Sequence, residues 1–481
     1  MDLNRALRIQ PKEVVAFVGG GGKTSAMFRL ADELVAQGQR VVTTTTTRIF
    51  AAQIALAPQH IIHRQDQPPH ELIASLTRQL ASHPHMLVIG EPDYEIGKAF
   101  GVEPSLVAAI ASIPEVDIIL TEADGSRMRP LKAPAGHEPV VPDCTTLLVP
   151  VVGVEALSHP LTDRYVHRAA LVAELAGVKV GAEVTPEIVA TVLTHPQGGL
   201  KGLPPRARAV PLINKVESPR QLAAARDLAR RLMAHQRVDA VVIAAVQRED
   251  PVTEVHGRVA AIVLAGGASQ RFGAPKQLLP WEGGSLLGHV ADTALASRAS
   301  PVVVVLGHQA DACQVALGDR PVTAVVNPDW AQGQSTSVRA GLAALQPNVS
   351  AALFLLVDQP RITPAVINAL IERHRATLAP VVWPEHNGRR GNPVLFDHAL
   401  FPQLARLSGD TGGRPVLQAY ADRAERVPVS DPGVLFDIDT PGDYQKAVGN
   451  PSPQGQESGN QESGGPDDYP KPVGNPSSAD S

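Results

Sequence analysis

Short runs of Val, Ile, Leu and Ala alternate along the chain with longer stretches in which apolar residues recur at helical spacing. In the first half, residues 14–18, 40–44, 86–89, 116–120, 147–151, 210–213 and 238–244 read as strands. In the second half, residues 259–264, 302–306, 322–326, 353–357 and 380–383 do so. Helical patterns lie between them, over 25–37, 220–235 and 365–374. Alternation of this kind predicts an α/β protein with two doubly wound domains. The first strand of each half runs straight into glycines. The join is expected near residues 247–258, a polar stretch without apolar periodicity. This places one domain at 1–247 and a second at 258–448.

Residues 449–481 break the pattern. They are rich in Gly, Pro, Ser, Asn and Gln, and they repeat the text before them: Asp443-Tyr444-Gln-Lys-Ala-Val-Gly-Asn-Pro-Ser returns as Asp468-Tyr469-Pro-Lys-Pro-Val-Gly-Asn-Pro-Ser. The composition predicts a disordered tail that arose by duplication.

Composition narrows the setting. Hydrophobic residues make up 44% and aromatics 4%, so Val, Leu and Ala carry the core, as suits parallel sheets covered by helices. The net charge of −5 and the lack of a basic patch argue against nucleic acid as a partner. The cysteines, Cys144 and Cys313, are distant in sequence and fit a reducing compartment. No apolar run approaches the ~20 residues of a membrane span, and the first residues lack the apolar core of a signal peptide. A soluble, cytoplasmic protein is expected.

The strongest chemical signal is Leu264-Ala-Gly-Gly-Ala-Ser-Gln-Arg-Phe-Gly-Ala-Pro-Lys276. A strand ends in a turn of small residues, and a triphosphate can approach such backbone closely because no Cβ stands in the way. Leu264, Ala265, Gly266, Gly267, Ala268 and Ser269 are therefore candidate nucleotide contacts, with the N–H groups of Gly266 to Ser269 able to point at phosphate oxygens. Arg271 suits bidentate contact with leaving phosphates, and Lys276 serves as a point charge. Asp358 ends an apolar strand at the carboxyl edge, where α/β sheets place ligands. Asp439, before Thr440-Pro441, suits either a metal or a turn. Mg²⁺ needs only one or two carboxylates besides substrate phosphates.

Over about residues 258–447 the chain resembles nucleotidyltransferases of the molybdenum-cofactor type, the cytidylyltransferases in particular. Besides the glycine loop, the resemblance rests on the segment from Asn327 to Gly341, Asp358-Gln-Pro, the segment from His386 to Phe396, Gly409-Asp-Thr-Gly-Gly413 and Asp437-Ile-Asp-Thr-Pro-Gly-Asp-Tyr444. It implies a Rossmann-like domain with Lys276, Arg271 and Asp358 as catalytic residues and Mg²⁺ on Asp358 and Asp439. The substrates it implies are CTP and molybdopterin cofactor, joined as the dinucleotide with release of pyrophosphate. Asn327 and Ser335 are then base or ribose contacts, or equally turn residues. His386, Arg389 and Arg390, with Gly388 to Asn392, fall on the acceptor side. One departure stands out: the cytidylyltransferases usually read Ala-Ala-Gly where this chain has Ala265-Gly266-Gly267. The double glycine is more typical of guanylyltransferases, and Gly266 is expected to leave room for a purine, so GTP remains a competitor of CTP.

The N-terminal half carries a second loop, Val18-Gly-Gly-Gly-Gly-Lys23-Thr24, between a strand and a helix. With Gly19 and Gly22 as its ends it is a shortened P-loop of the kind found in Mur-ligase-like ATPases, Lys23 reaching phosphates and Thr24 a metal. Glu122 and Asp124 end a later strand, where a Walker-B acid would sit and bind the same Mg²⁺. Thr43 to Thr47 line a phosphate site or are merely β-branched strand residues, and Asn214-Lys-Val-Glu217 has the look of a base-reading motif. About residues 10–245 resemble the accessory proteins of selenium-dependent molybdenum hydroxylases (the YqeC type). This rests on the loop, the threonines, Glu122-Ala-Asp-Gly-Ser-Arg-Met-Arg-Pro-Leu-Lys-Ala-Pro134 and His137-Glu138-Pro139. The resemblance implies a P-loop-like domain that binds a second NTP and serves the same pathway, with a client molybdenum hydroxylase as partner; whether the NTP is only bound or also hydrolysed stays open at this point. Two other readings compete: a guanylyl- or sugar-phosphate nucleotidyltransferase, and an NTP-dependent chaperone that inserts cofactor without transfer chemistry.

Overall fold

Nine strands of the first half and the join line up into one sheet. They are β1 (Val14–Gly19), β2 (Val41–Thr45), β3 (His60–Ile62), β4 (His85–Ile89), β5 (Ile118–Glu122), β6 (Leu147–Gly153), β7 (Leu212–Asn214), β8 (Ala240–Ala244) and β9 (Val252–Ala265). Their order is β3–β4–β2–β5–β1–β6–β7–β8–β9, parallel except for the last pair. A buried parallel sheet needs apolar residues on both faces, and β1, β2, β4, β5 and β6 are buried at almost every position. This computed structural model describes residues 1–64, 66–269 and 272–449. The tail expected at 449–481 lies outside them except for Gly449.

The second sheet continues from the same β9. To it belong β10 (Val302–Leu306), β11 (Thr323–Val326), β12 (Val349–Leu356), β13 (Val381–His386), β14 (Val394–Asp397) and β15 (Glu425–Pro428). The order is β11–β10–β9–β12–β14–β13–β15, with β14 antiparallel to both its neighbours. The segment expected to be a polar join is thus strand from residue 252 onward. Residues 252–257 pair with β8, and the remainder of β9 pairs with β10 and β12. Its polar residues misled the periodicity: Glu254 and His256 are buried because they hydrogen-bond each other at 2.8 Å.

The helices that matter for function are α1 (Leu3–Leu7), α2 (Lys23–Ala36), α3 (Pro219–Met233), α4 (Gln334–Ala343), α5 (Pro364–Thr377) and α6 (Pro441–Gly449). Ser218 caps α3 and Thr363 caps α5, each followed by a proline that pre-sets the first turn. Helix α2 lays Met27, Leu30 and Leu34 on the sheet beside Phe17 and Leu87; Leu3 and Leu7 of α1 extend that core. A separate core in the second half gathers Ile262, Val303, Val305, Val338 and Phe396. Met1–Asp437 form one compact unit and a second begins at Ile438, with α6 in it. Among the described residues no helix is long and apolar enough to cross a membrane.

Candidate functional sites

At the first loop the four glycines are required by the protein's own backbone. A Cβ on Gly19 would lie 2.4 Å from the Val151 carbonyl oxygen, one on Gly20 2.4 Å from that of Arg129, and one on Gly21 2.1 Å from the Gly153 nitrogen. The loop therefore presses against the end of β6, and Gly19, Gly21 and Gly22 hold positive φ angles of 93°, 83° and 114°. The N–H groups of Gly19, Gly20 and Gly21 already donate to Asp124, Val151 and Arg129. An incoming phosphate thus faces the start of α2, where Lys23 and half-buried Thr24 stand in the first turn and line a cavity.

Lys23 is buried and donates to the Gly19 carbonyl at 2.7 Å, with Asp124 at 3.3 Å and Glu122 at 3.6 Å. Burial works against its charge, but the carboxylates of Asp124 and Glu122 outweigh it and raise its pKa. Thr24 donates its hydroxyl to Glu122 at 2.6 Å. The four residues that the sequence offered separately thus meet at one point. Asp124 is further held by Lys132 at 3.0 Å, and Lys132 also binds Glu138 at 2.8 Å, which Arg168 reaches at 2.7 Å. Burial pushes the Glu138 carboxyl up, but hydrogen bonds from Arg168 and Lys132 hold it down at about 2. Burial, with the charges of Arg168, Lys132 and Arg127, lowers His167 to about 4. A cavity of about 930 Å³ opens over this network. Lys23, Arg48, Lys98, Arg127, Arg168 and Lys215 line it against Glu122 and Glu138, so it favours an anion.

Four of the five threonines and Asn214 have structural partners, while the Thr47 hydroxyl has none among the described residues. Thr44, Thr45 and Thr46 donate to the carbonyls of Val88, Glu122 and Val140 at 2.8, 2.8 and 2.6 Å. Asn214 is buried, donates to Gly21 at 2.9 Å and accepts from Val246 at 3.1 Å, so it clamps the glycine loop to the end of β8. Arg168 had no local signal in the sequence, since it meets Glu138 across 30 positions.

At the second loop, β9 ends in Ala265 and the chain turns through Gly266 and Gly267. Lys276 is largely buried; its N–H donates to the Ser269 hydroxyl at 3.2 Å and its ammonium lies 3.3 Å from Asp358, just beyond β12. Gln277, unremarked in the sequence, braces the loop by donating to the carbonyls of Ala265 at 2.8 Å and Gly267 at 2.6 Å. Gly266 is not where the expected free space lies. A Cβ there would sit 2.9 Å from the Ser337 hydroxyl in α4, whereas one on Gly267 would meet nothing within 4 Å among the described residues. The idea that Gly266 leaves room for a purine is corrected accordingly: the open approach is over Gly267.

Leu264 and Ala268 flank this turn, and Arg271 lies outside the described residues. Asn327 is buried; its amide donates to Thr336 at 2.7 Å and Ser337 at 3.0 Å and accepts from the Asp329 N–H at 3.0 Å, building the turn into α4. Ser335 is buried with no partner for its hydroxyl among the described residues. His386 donates to the Val429 carbonyl at 3.0 Å, and Arg389 and Arg390 are exposed on the adjoining hairpin. The Asp358-Gln-Pro segment is tied to the Asp437 segment by a hydrogen bond from Gln359 to Asp437. Asp439 belongs to the second unit, two residues before α6.

Among the described residues no three or more His, Cys, Asp or Glu side chains are grouped to hold a metal. The donors present are hard oxygens in ones and twos: Asp358 in one site, Thr24 with Glu122 at 2.6 Å in the other. That set fits Mg²⁺ completed by substrate phosphates and water, and fits a softer metal poorly.

Residues 15–170 match the family described as YqeC protein, and residues 261–425 the MobA-like NTP transferase domain. An uncharacterized YqeC protein of Escherichia coli is 33% identical over 50% of this chain and 90% of its own length. A protein of Paenarthrobacter nicotinovorans named nicotine blue oxidoreductase is 34% identical over 38% of this chain and 92% of its own. The molybdenum cofactor cytidylyltransferase of Escherichia coli is 29% identical over 38% of this chain and 92% of its own.

Proposed function

Because the chain belongs to the YqeC family through its N-terminal half and to the MobA-like NTP transferases through its C-terminal half, we propose that this nucleotidyltransferase transfers CMP from CTP to molybdopterin cofactor. The N-terminal half binds, and hydrolyses, a second NTP. Both reactions belong to maturation of a molybdenum hydroxylase in the cytoplasm.

One observation carries the transfer reading. Lys276 and Asp358 stand 3.3 Å apart beside the backbone at Gly267, where no described residue stands in the way of a ligand. The acceptor's terminal phosphate has a second pKa of about 6, so at neutral pH it is ionised and needs no strong general base. Its oxygen attacks the α-phosphorus of CTP, the bond from that phosphorus to the bridging oxygen breaks, and pyrophosphate leaves. Lys276 places a cation against the phosphates. Asp358 holds Lys276 in position and offers an oxygen ligand for Mg²⁺, which when bound neutralises charge on the leaving pyrophosphate. In-line positioning supplies the rest.

The second NTP reading is supported by the cation-rich cavity over Lys23 and Thr24 at the start of α2. Thr24 and Glu122 would hold Mg²⁺ there, and Lys23 the phosphates.

Incubating the chain with molybdopterin and CTP, GTP or ATP in turn, and following both pyrophosphate and the dinucleotide, tests the proposal. We expect CTP to be used best and Asp358→Ala to lose at least ~100-fold in kcat with the fold intact. Preference for GTP would make the product a guanine dinucleotide. Absence of pyrophosphate release with every nucleotide would overturn the transfer reading, a result to be weighed because one relative carries an oxidoreductase's name.

A further inference from the structure

A second large cavity, about 780 Å³, lies away from both glycine loops, where the two sheets share β9. Its wall is formed by α3 from the first half, by residues 254–259 of β9, and by α5 from the second half. The charges in it do not balance. Glu254 is saturated by Arg226 at 2.9 Å and His256 at 2.8 Å; Asp227 is held by Arg230 and by Arg231 at 3.0 Å; Glu372 is held by Arg298. Arg258 turns to carbonyls between the end of α3 and the start of β8, at Val238, Met233 and His235, over 2.6, 3.1 and 3.0 Å.

Arg375 is what remains. It is half-buried, its Nε is buried without a hydrogen-bond partner, and among the described residues it forms no hydrogen bond or ion pair. Burial and the neighbouring charge of Arg298 disfavour its cationic form and prevail over Glu254 and Glu372, which favour it. An unpaired guanidinium in such a place is costly unless something external completes it. The planar fork suits two oxygens of one phosphate. Met233, Ala234, Val259 and Ala376 add an apolar wall, and the volume falls in the range of small-molecule sites.

We propose that this cavity binds a phosphate-bearing small molecule of mononucleotide size, with Arg375 as its anchor. The occupant bridges α3, β9 and α5, so it braces the strand that both halves share, at a site separate from the transfer chemistry.

Hydrogen–deuterium exchange on the full chain, titrated with inorganic pyrophosphate against sodium chloride at matched ionic strength, tests this. Peptides covering residues 252–259 and 364–377 are expected to gain protection, and Arg375→Met to weaken that effect at least tenfold. Removal of a half-buried charge whose Nε has no partner should leave the ligand-free Tm of Arg375→Met equal to or above that of the parent. Protection confined to residues 19–24 and 264–269, or protection at the seam unchanged in Arg375→Met, overturns the proposal. Should Arg375→Met fail to fold, absence of seam protection in the parent chain overturns it equally.

Discussion

Single residues carry more than one duty at both loops. Lys23 is a candidate phosphate ligand and also the counter-charge of two buried carboxylates. Removing one partner of a buried ion pair costs about 3–5 kcal/mol, so Lys23→Ala is expected to lower Tm sharply as well as abolish NTP binding. Thr24→Val is the cleaner probe, because Glu122 keeps Lys23 when the hydroxyl goes. It should cost about 1 kcal/mol in stability and at least tenfold in Mg²⁺-nucleotide affinity, measured by calorimetry. Unchanged affinity would remove Thr24 from the site. At the second loop, Gly266→Ala drives a methyl against Ser337, which accepts from Asn327 at 3.0 Å. A loss of about 1–3 kcal/mol in stability is expected from the crowding, with the CTP-to-GTP ratio of kcat/KM unchanged. Gly267→Ala should do the opposite, sparing stability while lowering kcat/KM, because its methyl would meet no described residue and would stand where a nucleotide is proposed to approach.

Two elements weld the halves. Strand β9 contributes Val252 and Val255 to the first core and Ile262 and Leu264 to the second. Helix α1 is only five residues long, yet it seats Leu3 and Leu7 in the first core, and Arg8, just after it, reaches into the second half. Arg8 holds buried Asp397 of β14 at 2.6 Å, and His374 reaches the same carboxylate at 2.8 Å. Burial pushes the Asp397 carboxyl up, but His374, His398 and Arg8 hold it well below the usual range. Arg8→Ala is expected to cost about 3 kcal/mol by leaving that carboxylate short of its cation. Denaturant unfolding followed separately in each half tests it: both transitions should move to lower denaturant together. A shift in the second half alone would show that α1 does not couple them.

Across the whole molecule, acid stability follows from three groups whose shifts share a sign. His167 has its pKa lowered to about 4 from an ordinary value of 6.5, so between those pH values the unfolded chain binds a proton that the folded chain refuses. Its contribution is complete above 6.5 and lost as pH falls toward 4. Glu138 and Glu254 are each lowered to about 2 from 4.5; burial opposes this, and Arg168 with Lys132, or His256 with Arg226, prevail. Their contribution is complete above 4.5 and lost as pH falls toward 2. After allowance for solvent screening, Glu138 is worth about 1–2 kcal/mol. Tm should therefore decline steadily below pH 6.5, and Glu138→Gln should lower Tm at neutral pH and flatten the slope below 4.5. A Tm constant from pH 7 to 3 would contradict these assignments.

What the sequence determined by itself is local. Apolar runs between glycine and polar turns placed most central strands of both halves, since a buried parallel strand must be apolar on both faces. The two glycine loops, with Lys23, Thr24 and Lys276 beside them, were legible because an apolar strand running into small residues has its own spacing. The tertiary structure decided whatever depends on partners distant in the chain. It turned the polar stretch before residue 258 into strand, because Glu254 finds Arg226 and His256 there. It brought Glu138 to Arg168, and Lys276 to Asp358 across 82 positions. It also aimed the missing methyl of Gly266 at Ser337 rather than at a ligand. Periodicity records which face of an element is buried; it holds no record of which charges meet on that face, nor of which way a glycine without a side chain is turned.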